Sequence, residues 1–142
     1  MSRNSYTHRI GARETVADDL PLGPALSARA VLDDSEPEPR AGDALPPLWQ
    51  WLYFLPRAAQ SRLGPDGHPQ RGGFLPPVDL PRRMFAGARL TIHQPLRLGR
   101  PAVREGEIRT IEDKQGAGGR QFFVTALYRF SQDGDLCLEE EQ

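Results

Sequence analysis

QFFVTALYRFSQDGDLCL, residues 121–138, decides the fold. Phe122, Val124, Ala126, Tyr128 and Phe130 recur at every second position, with Phe123, Thr125, Leu127 and Arg129 between them. A period of two sends successive side chains to opposite faces, so the run reads as a β-strand with one face for a core. Asp133-Gly134 follows, and glycine tolerates the positive φ that a tight hairpin needs; Leu136 and Leu138 then begin another strand. Working outward, Gln115 to Gly119 is a glycine-rich turn. Val103 to Lys114 is a strand in which Ile108 and Ile111 fall out of alternation, and one extra residue near Arg109, a bulge, accounts for the change of phase. Arg97 to Pro101 is a turn. Met84 to Pro95 sets Leu90 and Ile92 against Arg89, Thr91 and His93, the pattern of a half-buried strand.

Upstream the chain changes character. Residues 63–89, LGPDGHPQRGGFLPPVDLPRRMFAGAR, hold five of the fourteen prolines and five of the fourteen glycines. Ordering such a loop costs roughly 1–2 kcal/mol per backbone residue, which proline lowers by restricting the unfolded chain. A long stiffened loop is usually functional, and this one reads as a wall laid against the sheet. Before it, LWQWLYFL (48–55) puts two tryptophans, a tyrosine and a phenylalanine into six positions. Its period is ambiguous, and aromatic enrichment tilts it towards strand; core packing and a ligand wall both fit it. Residues 33–47 are an acidic, proline-rich connector. Thr15 to Leu32 reads as the approach to a helix and a short helix, with Asp18 or Asp19 as cap, Pro21 or Pro24 in the first turn and Leu22, Ala25, Leu26, Ala30 and Val31 on one side. Residues 1–14 are expected to be a flexible N-terminus. A helix followed by an antiparallel meander is an α+β layout, and one domain suits 142 residues.

Composition excludes several classes. The net charge is −1, which gives no electrostatic case for nucleic acid or an anionic membrane. No apolar run nears the roughly 18–20 residues that span a bilayer. The single cysteine, Cys137, excludes an internal disulfide and sits on a strand with no adjacent base, as a packing residue does. The negative mean hydropathy suits a soluble protein, and the expected location is cytoplasmic, or mitochondrial in a eukaryote, since Met1 to Arg13 has three arginines and no acid before Glu14.

For chemistry, Asp66-Gly67-His68 comes first: a carboxylate beside an imidazole can orient it and raise its basicity. Pro65-Asp66-Gly67 is equally ordinary turn chemistry, which leaves His68 as an exposed loop residue. His93 sits on the polar side of a strand. The three histidines lack metal-ligand spacing, and neither Gly72-Gly73 nor Gly116–Gly119 has a phosphate-loop pattern. Arg82 and Arg83 suit a phosphate or carboxylate as well as they suit solvent.

PPLWQWLYFLP (46–56), LGPDGHPQRGGFLPPVDLPRRMFAGARL (63–90), HQPLRLG (93–99) and EIRTIEDKQGAGGRQFFVTALYRF (107–130) together resemble the N-terminal half of the MaoC-like hydroxyacyl-thioester dehydratases, a group that includes mesaconyl-C4-CoA and 3-methylfumaryl-CoA hydratases. The resemblance implies a single hot-dog fold over residues 15–142, an antiparallel sheet wrapped around the 15–32 helix. It implies tandem hot-dog units whose junction takes a coenzyme A thioester, with water added to or removed from the α,β double bond and no further cofactor. In that family the catalytic Asp and His belong to the C-terminal unit, in motifs of the form Asp-x-Asn-Pro-x-His or Asn-Gly-His-x-Ile-His-x-Asp. Neither occurs here, and Asp66-Gly67-His68-Pro69 is a different motif; Gly99-Arg100 also replaces the commoner Gly-Asp. The resemblance thus implies the non-catalytic, acyl-CoA-binding half of a hydratase or dehydratase, with Trp49, Trp51 and Phe54 shaping the acyl surface and Arg82, Arg83, Met84 and Arg89 near the thioester or its phosphates. A MaoC-like catalytic subunit would complete it. The alternatives are a stand-alone dimer using His68 with Asp66, and an inactive module that binds acyl-CoA or a partner. A hydrophobic edge at Leu136–Glu140 is expected to drive association.

Overall fold

The computed structural model describes residues 6–142. Five strands form one antiparallel sheet: β1 (Arg13–Asp18), β2 (Arg89–Ile92), β3 (Ala102–Gly116), β4 (Gly119–Gln132) and β5 (Asp135–Glu141). Their order is β1-β3-β4-β5-β2, and one helix, α1 (Leu22–Leu32), lies between β1 and β2 in the chain. This is an α+β hot-dog fold.

The strongest sequence period becomes the spine of the sheet. Phe122, Val124, Ala126, Tyr128 and Phe130 of β4 all turn to the core face. The β3–β4 register slips by one residue between Ile108 and Thr110, so Ile108 and Ile111 are both buried. Asp133 (φ 52°) and Gly134 (φ 83°) make the β4–β5 turn. A second slip, where Phe130 pairs with Leu138 but Ser131 with Leu136, buries both Cys137 and Leu138 and leaves Leu136 partly exposed. The Cys137 carbonyl accepts from the amides of His93 and Gln94 as the chain leaves β2.

Five expectations change. Residues 13–18 form β1, paired with Ala102–Glu107, instead of the approach to a helix. Asp18 caps nothing: its carboxylate accepts from the amides of Leu20 (2.8 Å) and Phe54 (3.0 Å), fixing a turn in which Leu20 is fully buried. The aromatic run is a 3-10 turn, Trp49–Leu52, between Leu48 (φ 72°) and Phe54 (φ 54°); the left-handed backbone at those two residues breaks the extended run a strand needs, and the aromatic side chains pack without a ladder. Met84–Ala88 lies outside β2, and Ile92 is 47% exposed. Finally, β5 is no edge, because β4 and β2 flank it; the outer strands are β1 and β2. Within the N-terminal segment Tyr6 is buried and opens a 3-10 turn, Tyr6–Arg9; residues 1–5 of the expected flexible stretch lie outside the described residues.

The helix covers little of the sheet by itself. Ala25 is its one buried residue, while Val31 and Leu32 point outward. The rest of the cover comes from the aromatic turn and from the long loop, whose Phe74, Leu75 and Val78 pack on Tyr6, Ile108, Ile111 and Ala126. The loop is therefore the wall its prolines suggested. Guanidinium groups hold it in place: Arg9 donates to the carbonyls of Gly73 and Phe74, and Arg71 to those of Val78 and Leu80. Gly106 is needed under it, since a Cβ there would stand 2.9 Å from the Phe74 ring and 3.1 Å from that of Tyr128.

Candidate functional site

Beside that wall the concave face stays open as a cleft of about 290 Å³, lined by Gln50, Trp51, Tyr53, Phe54, Leu55, Pro56, Phe85, Arg104, Tyr128, Phe130, Glu140 and Gln142. Cross-strand pairing sets its floor. Tyr128 of β4 stands opposite Glu140 of β5, and Arg104 of β3 opposite Phe130 of β4, so these side chains share the face that is apolar elsewhere. The aromatic turn supplies one wall. Trp51 meets Phe85 edge to face at 5.6 Å between ring centres, and Phe54 meets Phe130 in the same way at 5.3 Å.

The electrostatics of the floor are unusual. Glu140 is 1% exposed, and its carboxylate accepts from Trp51 Nε1 (2.7 Å), Gln142 Nε2 (2.9 Å) and Gln50 Nε2 (3.2 Å). No cation among the described residues pairs with it. A buried carboxylate held by neutral donors alone is costly. Arg104 donates to Glu14 at 2.9 Å and lies over the Tyr128 ring, 5.0 Å from its centre. Arg104 Nε and Gln50 Oε1 are buried without a hydrogen-bond partner. Burial pushes the Tyr128 phenol above its ordinary range; Arg104 and Arg83 oppose the shift, and Glu14 and Glu140 reinforce it.

Of the residues read from the sequence, Trp51 and Phe54 line the cleft. Trp49 packs against the core behind it. Arg83 lies near enough for its charge to act on Tyr128. Arg82 and Met84 are exposed, Met84 at 83%, and Arg89 pairs with Glu141 at 3.7 Å on the surface. Asp66 and His68 do not line the cleft. They form an exposed turn in which Asp66 accepts the His68 amide at 3.1 Å, holding the carboxyl below its usual range, and faces His68 Nδ1 at 3.5 Å. His93 pairs with Glu139 on the surface. Among the described residues no group of three His, Cys, Asp or Glu is placed to hold a metal, and no helix is long and apolar enough to cross a membrane.

Sequence reasoning missed Gln50, Arg104, Tyr128 and Glu140 as a group. The available signal was polarity in the wrong phase. Arg104 shares its strand parity with inward Ala102, Gly106 and Ile108, and Glu140 with inward Leu138.

The strand order and the single helix define a hot-dog protein, with an aromatic-walled cleft on one face of its sheet. Residues 48–142 match the family hydroxyacyl-thioester dehydratase type 2, and the chain belongs to that family. Over 142 residues it is 54% identical to the mesaconyl-C(4)-CoA hydratase of Chloroflexus aurantiacus, an alignment that covers 100% of this chain and 51% of the relative. The chain thus spans about half the length of the curated relative it matches. The resemblance to MaoC-like dehydratases is borne out, and every cleft residue falls inside the matched region.

Proposed function

We propose that this chain is the acyl-CoA-binding, non-catalytic half of a 3-hydroxyacyl-CoA dehydratase or enoyl-CoA hydratase of mesaconyl type, completed by a second hot-dog unit that carries the catalytic Asp and His. One observation carries this reading: the cleft gathers Trp51, Phe54, Arg104, Tyr128 and Glu140 but no histidine, while the Asp66–His68 pair lies in an exposed turn. Hydration sets a hydroxyl on Cβ and a proton on Cα, and it needs a base and an acid matched to the working pH. Glu140, tied to three donors, serves as a fixed acceptor. The chain's own part is to seat the acyl group between Trp51, Phe54 and the sheet, and to keep water from its outer side.

The surface suits such a partner. Leu48, Leu55, Met84 and Phe85 are between 50% and 83% exposed around the aromatic turn and the loop end, and exposed apolar groups gathered in one area mark interaction sites. Strand β2 also leaves one edge unpaired. The thioester is the substrate, no additional cofactor enters this scheme, and the location proposed for the protein is cytoplasmic.

A second reading, a stand-alone dimeric hydratase, is favoured by the approach of Asp66 to His68 alone. Hydration of crotonyl-CoA and mesaconyl-CoA separates the two. The expected result is no turnover by the chain alone and turnover once a hot-dog subunit with the Asp/His motif is added. Turnover by the chain alone that disappears in His68→Ala would replace the first reading with the second.

A further inference from the structure

The three tyrosines of the chain all pack into the core, and two spend their hydroxyls on the backbone. Tyr6 Oη accepts from the Asp79 amide at 3.2 Å, and Tyr53 Oη donates to the Pro21 carbonyl at 2.7 Å. Tyr128 differs. Its ring is held between Phe74, 6.0 Å away, and the Arg104 guanidinium at 5.0 Å. Among the described residues its hydroxyl makes no hydrogen bond, yet it is not among the enclosed, unpartnered polar atoms. It is therefore open on the cleft floor. A tyrosine in packed surroundings usually finds a partner for its hydroxyl.

The row across the sheet explains why the hydroxyl is available. Glu14, Gly106, Tyr128, Glu140 and Leu90 stand opposite one another from β1 to β2. Glu14 is taken by Arg104 and Glu140 by Trp51, Gln142 and Gln50. Both carboxylates thus already accept from other donors, neither is bonded to the Tyr128 hydroxyl, and Gly106 adds no side chain. A phenol is protonated at neutral pH, its ordinary value being about 10, and burial raises that of Tyr128 further; Tyr128 therefore presents a donor that nothing in the cleft consumes.

We propose that the Tyr128 hydroxyl is a specificity-determining group that donates a hydrogen bond to an acyl oxygen of the thioester seated in the cleft. This rests on the reading of the chain as a thioester-binding half. The acceptor is either the thioester carbonyl or a free carboxylate at the far end of the acyl group, which share the same acceptor chemistry.

Tyr128→Phe removes only the hydroxyl. Calorimetric titration of the full chain with coenzyme A, butyryl-CoA and succinyl-CoA provides the test. The variant is expected to melt at or above the wild-type temperature, to bind free coenzyme A unchanged, and to bind acyl-CoA about three- to tenfold more weakly, the worth of one neutral hydrogen bond. A loss common to both thioesters identifies the carbonyl as acceptor; a loss confined to succinyl-CoA identifies the free carboxylate. Wild-type affinity for both thioesters, or a parallel fall for free coenzyme A, overturns the proposal while leaving the thioester-binding reading intact. A wild-type chain that binds no acyl-CoA overturns that reading and this proposal with it.

Discussion

Two ends of one concave face are finished differently. Where the long loop lies over β3 and β4, the packing is apolar and closed: Tyr6, Ile108, Ile111 and Ala126 are buried beneath Phe74, Leu75 and Val78. The loop's carbonyls there are taken up by Arg9 and Arg71. At the other end eleven buried residues form a larger cluster, yet that end holds a buried carboxylate with no cation and two of the three enclosed, unpartnered polar atoms of the described residues. The contrast with Gln132 is instructive. That buried glutamine uses both ends of its amide, accepting from the Arg97 amide and donating to the Arg97 and Arg100 carbonyls, and so pins a turn. Gln50, equally buried, leaves its oxygen unused. Two enclosed polar atoms stay unpartnered around the cleft, Gln50 Oε1 and Arg104 Nε, against one, Arg9 Nε, at the closed end, and polar groups left incomplete beside a cleft call for an explanation other than holding the fold together.

The closed end should give way most when cut. Ile108 is 0% exposed, and Ile108→Ala is expected to cost about 2–5 kcal/mol through lost burial and a residual cavity. Urea unfolding measures it, and a cost below about 1 kcal/mol would mean the loop does not close over β3 as described. At the open end, Glu140→Ala is expected to cost less, about 1–3 kcal/mol, because it strands the Gln50 and Trp51 donors but also removes a buried charge. If Glu140→Ala cost more than Ile108→Ala under the same conditions, the division into a structural end and a binding end would be wrong.

The smallest effect belongs to the convex face. Glu139 is held below its usual value chiefly by His93, with Arg129 assisting. A depressed carboxylate contributes stability that is present above its unfolded value and lost as pH falls through its folded value. The increment should therefore vanish on acidification below the ordinary glutamate range, about pH 4.3. His93→Gln should reduce that acid-side loss in thermal melts, and added salt should shrink the difference, since exposed pairs are screened. Equal acid sensitivity in both proteins would remove His93 from the account.

Legibility in the sequence followed the same division. The β3–β4–β5 meander, the bulge near Arg109 and the Asp133-Gly134 turn were readable because period and turn chemistry are local. Strand β1 was not, because Thr15–Asp18 takes its state from partners about ninety positions away at Ala102–Glu105. The aromatic run was readable as a wall but not as a turn, since its positive-φ hinges at Leu48 and Phe54 fall on residues that seldom adopt them. Trp51 and Phe54, which the family resemblance put on the acyl surface, line the cleft. Glu140 was hidden because its meaning comes from Gln50, ninety residues earlier; alone it is one acid in a run of three.

The central claim is that the thioester sits against Trp51, Tyr128 and Glu140 and not at the Asp66–His68 turn. The most direct measurement is a proton–nitrogen correlation titration of the labelled chain with butyryl-CoA. The Trp51 indole N–H, now bonded to Glu140 at 2.7 Å, should shift with the amides of Tyr128 and Glu140, while Asp66 to His68 stays still. Shifts concentrated at Asp66–His68, with the Trp51 indole unmoved, would contradict the account.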